Sequence, residues 1–291
     1  MRRGLLHLAV ALGAGIPLVQ FLLRRAPMQV SQRWDGTPVL CRVNKVYKEA
    51  DACRVGSLLL DAGADVNAES DHKARKWSCC WTAAAHGVQF QDWRFLKLCL
   101  DRGSTLEIGT SGGHHRTLVH LALREAFMIE YRPRAVIDRL RKRTAEFIGL
   151  LLSHPASRGT DVVNRPDFAG MTPLMLATIW ALPRCVAVLL DNGADVNHQW
   201  RGRSYSDLID ACYTPRAPLD FVVADDQYKE STTVHVEECA VYPRKQSEYF
   251  SCLDEICHLI LHRISPNGEP GSAAARNTSL PLRLQASKLQ L

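Results

Sequence analysis

Catalytic motifs are what this sequence has least of. Its 291 residues contain no phosphate-cradling Walker loop and no H-E-x-x-H zinc motif. Nucleotide hydrolysis and metalloprotease chemistry therefore have no residues to carry them. None of the ten cysteines forms a C-x-x-C pair, so the spacing of a structural zinc site is missing as well. The adjacent Cys79-Cys80 near His86 do not repair this, because neighbours on a helix point about 100° apart. Aromatics make up 7% of the chain and do not interleave with its basic run, which excludes a base-stacking platform. A net charge of +6 is too small to single out nucleic acid as a partner. Disorder and collagen are excluded by 46% hydrophobic and 23% charged residues, an ordinary globular balance. Several cysteines fall in helical runs and read as buried free thiols of a reducing compartment.

An uninterrupted membrane-spanning run is also missing. Met1-Arg2-Arg3, an apolar stretch to Leu23, and Arg24-Arg25 have the outline of a signal peptide or a span. His7, Pro17 and Gln20 break that stretch, with Gly13 and Gly15 in its middle. Its internal order matches the repeat described next, so residues 4–23 are assigned to the array.

What is present is repetition. Leu58-Leu59-Leu60-Asp61-Ala62-Gly63-Ala64-Asp65-Val66-Asn67 returns as Val188-Leu189-Leu190-Asp191-Asn192-Gly193-Ala194-Asp195-Val196-Asn197. Gly170-Met171-Thr172-Pro173-Leu174-Met175-Leu176-Ala177 supplies the other half of the unit. These residues resemble the ankyrin repeat, a turn and two antiparallel helices of about 33 residues. The resemblance implies an all-α solenoid of stacked helix-turn-helix units with finger loops. First helices are expected near Leu5, Thr37, Ser78, Thr117, Thr172 and Ala217. The matching second helices are Leu18–Arg25, Val55–Ala62, Phe95–Arg102, Phe147–His154, Cys185–Asn192 and Leu253–Arg263. Thr caps the first helix, since its hydroxyl accepts an orphan N–H, and Pro fits the first helical position. Gly63, Gly103 and Gly193 fall where the second helix stops and φ > 0 is wanted. His7 and His120 occupy the repeat's His position, where the imidazole hydrogen-bonds neighbouring backbone.

Six units follow, near 1–33, 34–70, 71–111, 112–166, 167–199 and 200–265, then a Gly-, Ser-, Ala- and Asn-rich disordered tail at 266–291. Extra residues are expected between the helices of the second and third units. Longer insertions are expected around Arg124–Glu146 and Asp225–Glu248, with a long finger at His198–Arg216. An array that begins inside a unit exposes an apolar end, which leads to the expectation of further chain upstream. The basic run Arg132–Arg143 reads as a solvated helix extension, with a nuclear-import or phosphate-binding patch as the competing view. His114-His115 reads as a turn in a finger.

The expected function is protein–protein recognition on the concave face of fingers and first helices, without catalysis, cofactor, metal or small-molecule substrate. Partner contacts are assigned to Trp200, Arg201, Arg203 and Tyr205 in the fifth finger and to Asp167 and Phe168 in the fourth, since Trp, Tyr and Arg anchor interfaces. A monomer is expected, intracellular in the cytoplasm and/or nucleus, with neither nucleic acid nor membrane among its partners. The alternative is a substrate-recognition subunit of a cullin-type ubiquitin ligase. Leu253, Cys257 and Leu261, spaced by four, with Leu280-Pro281-Leu282-Arg283 behind them, faintly resemble a SOCS box. An F-box upstream of this sequence is the other route to that role.

Overall fold

The structure is a computed structural model that describes residues 4–70, 81–108, 117–128, 134–167, 170–198 and 246–264. It is a two-row stack of short helices. One row holds the first helix of each unit: α1 (Leu5–Ala11), α3 (Val43–Val46), α5 (Ala83–Gln89), α7 (Leu118–Met128) and α9 (Pro173–Ile179). The other holds the second helices: α2 (Ile16–Arg25), α4 (Glu49–Asp61), α6 (Trp93–Asp101), α8 (Arg134–Ser153), α10 (Pro183–Asp191) and α11 (Gln246–Ile264). First helices pack on first helices and second on second, α11 closing against α10. The first helix expected near Ala217 lies outside the described residues.

The caps obey the local chemistry. Thr82 Oγ1 accepts the Ala85 N–H and Thr172 Oγ1 accepts the Met175 N–H, both at 3.3 Å. Gly63, Gly103 and Gly193 take φ of 91°, 83° and 85° directly after their second helices. Thr82, not Ser78, caps the third unit. Thr82 to Gly103 is then 103 − 82 = 21 residues, equal to Thr172 to Gly193, so the third unit carries no extra residues.

Where they are described, the insertions expected between helices turn largely into longer helices, and residues 225–245 of the last one lie outside the described residues. α4 starts at Glu49, six residues before the expected Val55. α8 runs 20 residues from Arg134, so the basic run extends a helix, as read from the sequence. α11 begins at Gln246 rather than Leu253. Lengthening a helix adds one hydrogen bond per residue, whereas a loop of equal length would leave its backbone to solvent.

One buried core runs along the whole stack and includes Leu6, Val19, Leu59, Phe95, Leu96, Leu123, Ile148, Leu174 and Leu189. Each such side chain contributes roughly 1.5–3 kcal/mol through burial. Polar ties join adjacent units. His7 Nε2–H donates to Thr37 O at 3.3 Å, and His120 Nε2–H to Met171 O at 3.1 Å. His120 Nδ1 accepts from Thr117, which fixes a neutral ring with its proton on Nε2.

A second tie is an asparagine clasp. Asn67 Nδ2 donates to Gly103 O at 3.1 Å, and Asn67 Oδ1 accepts the Thr105 N–H at 2.9 Å. Asn164 repeats it on Gly193 O and the Asp195 N–H, at 3.3 and 2.8 Å. A third tie links the ends of second helices. Asp61 meets Arg102 at 2.8 Å, Asp101 meets His154 at 3.1 Å, and Asp191 pairs with Arg263.

Candidate functional site

The surface best equipped for recognition lies on the fingers and the ends of the first helices. The first finger is a two-stranded hairpin, β1 (Arg33–Trp34) and β2 (Thr37–Pro38), paired Trp34 to Thr37. Asp35 and Gly36 between them have φ of 53° and 70°, the double positive φ that a type I′ turn requires. The tight turn fixes Trp34 beside the first helix. There the Arg42 guanidinium lies 4.7 Å from the Trp34 ring centroid and donates to Trp34 O at 3.4 Å. Arg33 reaches the next finger and donates to Glu69 O at 2.8 Å.

The same chemistry recurs one unit on. Ser70 N–H donates to Trp81 O at 2.9 Å, which holds Trp81 in place. The Arg124 guanidinium of α7 stands 5.6 Å from the Trp81 ring centroid, and its Nη2 lies 3.2 Å from Glu125 Oε1. Burial pushes the Glu125 carboxyl up, against the pull of Arg124. Trp81 also lies against His86, and His86 against Phe90. Two arginines clamped on two indoles therefore face the finger side, where a cation and a ring act together.

A row becomes visible when positions are counted from the Thr that opens each first-helix segment, although Thr37 lies in β2 and, against the expectation from sequence, caps no helix. Eight residues on from Thr37, Thr82, Thr117 and Thr172 stand Lys45, Phe90, Glu125 and Trp180. Phe90 and Trp180 sit just past the ends of α5 and α9, Lys45 is in the last turn of α3, and Glu125 lies within α7, three residues before its end. Lys45 and Phe90 are exposed, and Glu125 and Trp180 are half-buried. The row mixes cation, anion and two aromatic rings on one rim, a composition suited to a peptide or protein partner.

The residues assigned from sequence fare differently. Asp167 is 5% exposed, and its Oδ1 accepts the Met171 N–H at 3.1 Å. The structure thus places it inside the finger turn, not on its tip. Phe168, Trp200, Arg201, Arg203 and Tyr205 lie outside the described residues, as do His114 and His115. Trp34, Arg42, Trp81, Phe90, Arg124 and Trp180 were missed. The signal that finds them is the Trp-Asp-Gly-Thr-Pro hairpin at 34–38 and the register count from each Thr.

Among the described residues, no acid–base constellation competes with this surface. His154 Nε2–H donates to Asp101 Oδ1, while its Nδ1 accepts the Ala156 N–H at 3.2 Å. Lys97 first, and then His154, hold the Asp101 carboxyl below the usual range. The pair stands between second-helix ends against the edge of Trp93 and ties units together. Gly109-Thr110-Ser111-Gly112-Gly113 has the G-x-S-x-G spacing of a nucleophile elbow. It lies outside the described residues, bracketed by the antiparallel bridge Glu107 to Thr117. Among the described residues, no group of three His, Cys, Asp or Glu side chains is placed to hold a metal ion. Nor is any described helix long and apolar enough to cross a membrane.

Residues 169–201 match the family model for the ankyrin repeat. No curated protein matches the sequence. Among solved structures, an ankyrin repeat domain from Acinetobacter baumannii AYE is similar, with a TM-score of 0.52 and 19% identity. That match covers 89% of this chain and 96% of the other. The predatory endopeptidase Bd0816 from Bdellovibrio bacteriovorus in complex with immunity protein Bd3460 includes a second similar chain. It has a TM-score of 0.50 and 17% identity, and the match covers 82% of this chain and 99% of that one. At such identities the likeness concerns the fold alone.

Proposed function

From a chain that has the ankyrin-repeat fold and carries an ankyrin repeat at residues 169–201, we propose a protein-recognition scaffold that performs no reaction of its own. Ankyrin repeats generally mediate protein–protein interaction, and this fold is typically non-catalytic. The observation that carries the reading is the pair of arginine–indole clamps, Arg42 on Trp34 and Arg124 on Trp81, beside the Lys45, Phe90, Glu125 and Trp180 row. Trp and Arg supply most of the energy in interfaces of ordinary size. Their places here are set by a tight turn and a helix end, so little ordering remains to be done on binding. The partner is a protein segment docked across fingers and first helices of the second to fifth units. An intracellular setting, cytoplasmic and/or nuclear, accords with the six free cysteines among the described residues.

The test is affinity capture with the intact chain against two double variants, Trp34→Ala with Phe90→Ala and Trp200→Ala with Arg201→Ala. Loss of the same proteins with the first variant, at unchanged stability, supports this surface. Equal recovery with both sinks it. The cullin-ligase reading stays as the alternative. It rests on the spacing of Leu253, Cys257 and Leu261, but Ile256, Cys257 and Ile260 of α11 are buried in the core of the array. Co-purification of elongin and cullin subunits, lost on removal of residues 246–291, would favour it.

A further inference from the structure

The recognition surface above, on which this inference rests, is periodic. Lys45, Phe90, Glu125 and Trp180 hold the same position in four successive units. The first helices that bring them there pack directly on one another, α3 on α5, α5 on α7 and α7 on α9. Packed helices stand about 8–10 Å apart, so the row offers one side chain at roughly that interval. A polyproline II chain has three residues per turn and rises about 3.1 Å per residue, so side chains three apart recur on one side about 9.3 Å apart. A β-strand alternates faces and turns every third side chain away. An α-helix comes round again after seven residues, about 10.5 Å, but docks through a continuous apolar stripe. This row interrupts such a stripe, because Arg124 and Glu125 stand between Phe90 and Trp180 with their charges paired at 3.2 Å. Polyproline II keeps its backbone solvated and needs only separate ring contacts.

Charge sets one end of the occupant apart. Arg33, Arg42 and Lys45 gather at the second unit. Arg33 and Arg42 donate to the Glu69 and Trp34 carbonyls and form no ion pair among the described residues. Burial raises the Cys41 thiol, and Lys45, Arg33 and Arg42 all pull it back against Asp65, which places the three cations around one point. Lys45 is exposed there. At the fourth unit Arg124 offsets Glu125, and at the third and fifth the row presents rings, Phe90 exposed and Trp180 half-buried. We propose that the partner segment lies along this row as a polyproline II stretch, one turn per unit. A carboxylate residue sits on Lys45, with Arg42 and Arg33 behind it. A proline three residues away covers Phe90, and another nine residues away covers Trp180. The residue six away, over Arg124 and Glu125, is uncharged. Proline suits both rings, since its side chain is compact and apolar and its φ already matches the bound form, so little freedom is lost on docking.

The experiment uses the full chain and a fluorescent synthetic peptide of about 14 residues, with one glutamate, prolines three and nine residues from it, and alanine and glutamine elsewhere. It is made in both chain directions, since the row has the same spacing for each. Fluorescence anisotropy is expected to show saturable binding of one of the two. Moving both prolines by one residue turns them a third of a turn away from the rings and should weaken binding about tenfold, as should Phe90→Ala. Lysine in place of the glutamate should weaken it about fivefold. Lys45→Glu should reverse that preference, a swap that no loss of fold can mimic. Binding indifferent to the place of the prolines or to the sign of the charge overturns the proposal. So does an amphipathic helical peptide bound at the row in its stead. If affinity capture is lost with Trp34→Ala and Phe90→Ala while neither peptide binds, the recognition surface stands and this occupant falls.

Discussion

Two glycines inside second helices should respond to the same substitution with opposite sign. A Cβ added at Gly56 in α4 would stand 2.8 Å from Phe95 Cε2 and 3.2 Å from Leu98 Cδ2. Phe95 is fully buried, so its ring has nowhere to go. A Cβ added at Gly149 in α8 would meet only Val188 Cγ1, at an ordinary 3.6 Å. In a helix interior, Gly→Ala gains about 1 kcal/mol from backbone entropy in either place. Overpacking at Gly56→Ala costs roughly 1–3 kcal/mol against that gain. The net is a loss of about 1 kcal/mol for Gly56→Ala and a gain of about 1 kcal/mol for Gly149→Ala. The variants should therefore differ by about 2 kcal/mol, or about 1 M in urea midpoint by far-UV circular dichroism. Phe95→Leu should cost less in the Gly56→Ala background than alone, since it frees the crowded site. A Gly56→Ala protein at least as stable as the parent would refute the close approach of α4 and α6. A destabilised Gly149→Ala would refute the open contact to α10.

Three further outcomes are expected. Asn67→Ala removes both clasp bonds and should cost about 1–2 kcal/mol, whereas Asn67→Asp keeps the acceptor for the Thr105 N–H and should lose less. Hydrogen exchange should quicken at the joint between the second and third units and stay unchanged near α10; uniform quickening would contradict nearest-neighbour coupling. Burial, aided by Arg42, pushes the His7 imidazole below its ordinary 6.5, against the Thr37 backbone bond. The unfolded chain therefore binds the proton more readily, and stability falls as pH drops below about 6.5. His7→Gln should shrink the fall in urea midpoint between pH 7 and pH 5, and an undiminished fall would count against that burial. The Cys41 and Cys185 thiols are both pushed up to about 12 by burial, and Cys99 is raised as well. They should react with a thiol reagent at pH 8 only as fast as the chain unfolds, and immediate labelling would contradict their placement.

The fold was legible because most of its signals are local. Thr172-Pro173 and the Gly63 and Gly193 stops each act within a few residues of themselves, whereas His7 and His120 were legible by their place in the repeat, their Nε2–H bonds crossing to Thr37 O and Met171 O of the next unit. The third unit misled because Ser78 and Thr82 are both good caps. Only the fixed distance to Gly103 separates them, and that follows from packing α5 against α6. Helix lengths were misread for a related reason. Residues 134–146 are too charged to look like core, yet the helix they continue is anchored further on by Phe147, Ile148 and Leu151. The arginine–indole clamps escaped notice because each is a contact across a turn or between units, as with Trp81 and Arg124. Asp167 looked like a fingertip because acidic loop residues are usually solvated, and its bond to the Met171 N–H is invisible to composition.

The asparagine clasp grips main-chain atoms, the carbonyl of Gly103 or Gly193 and an amide two residues later. Every polypeptide offers those groups, whatever its side chains. A module held this way can be exchanged, or drift in sequence, without loosening the hand that holds it. Only the spacing of its glycine turn must be kept. Asn197, whose N–H is already set by Asp195 as that of Asn67 is by Asp65, is the same hand extended toward whatever follows.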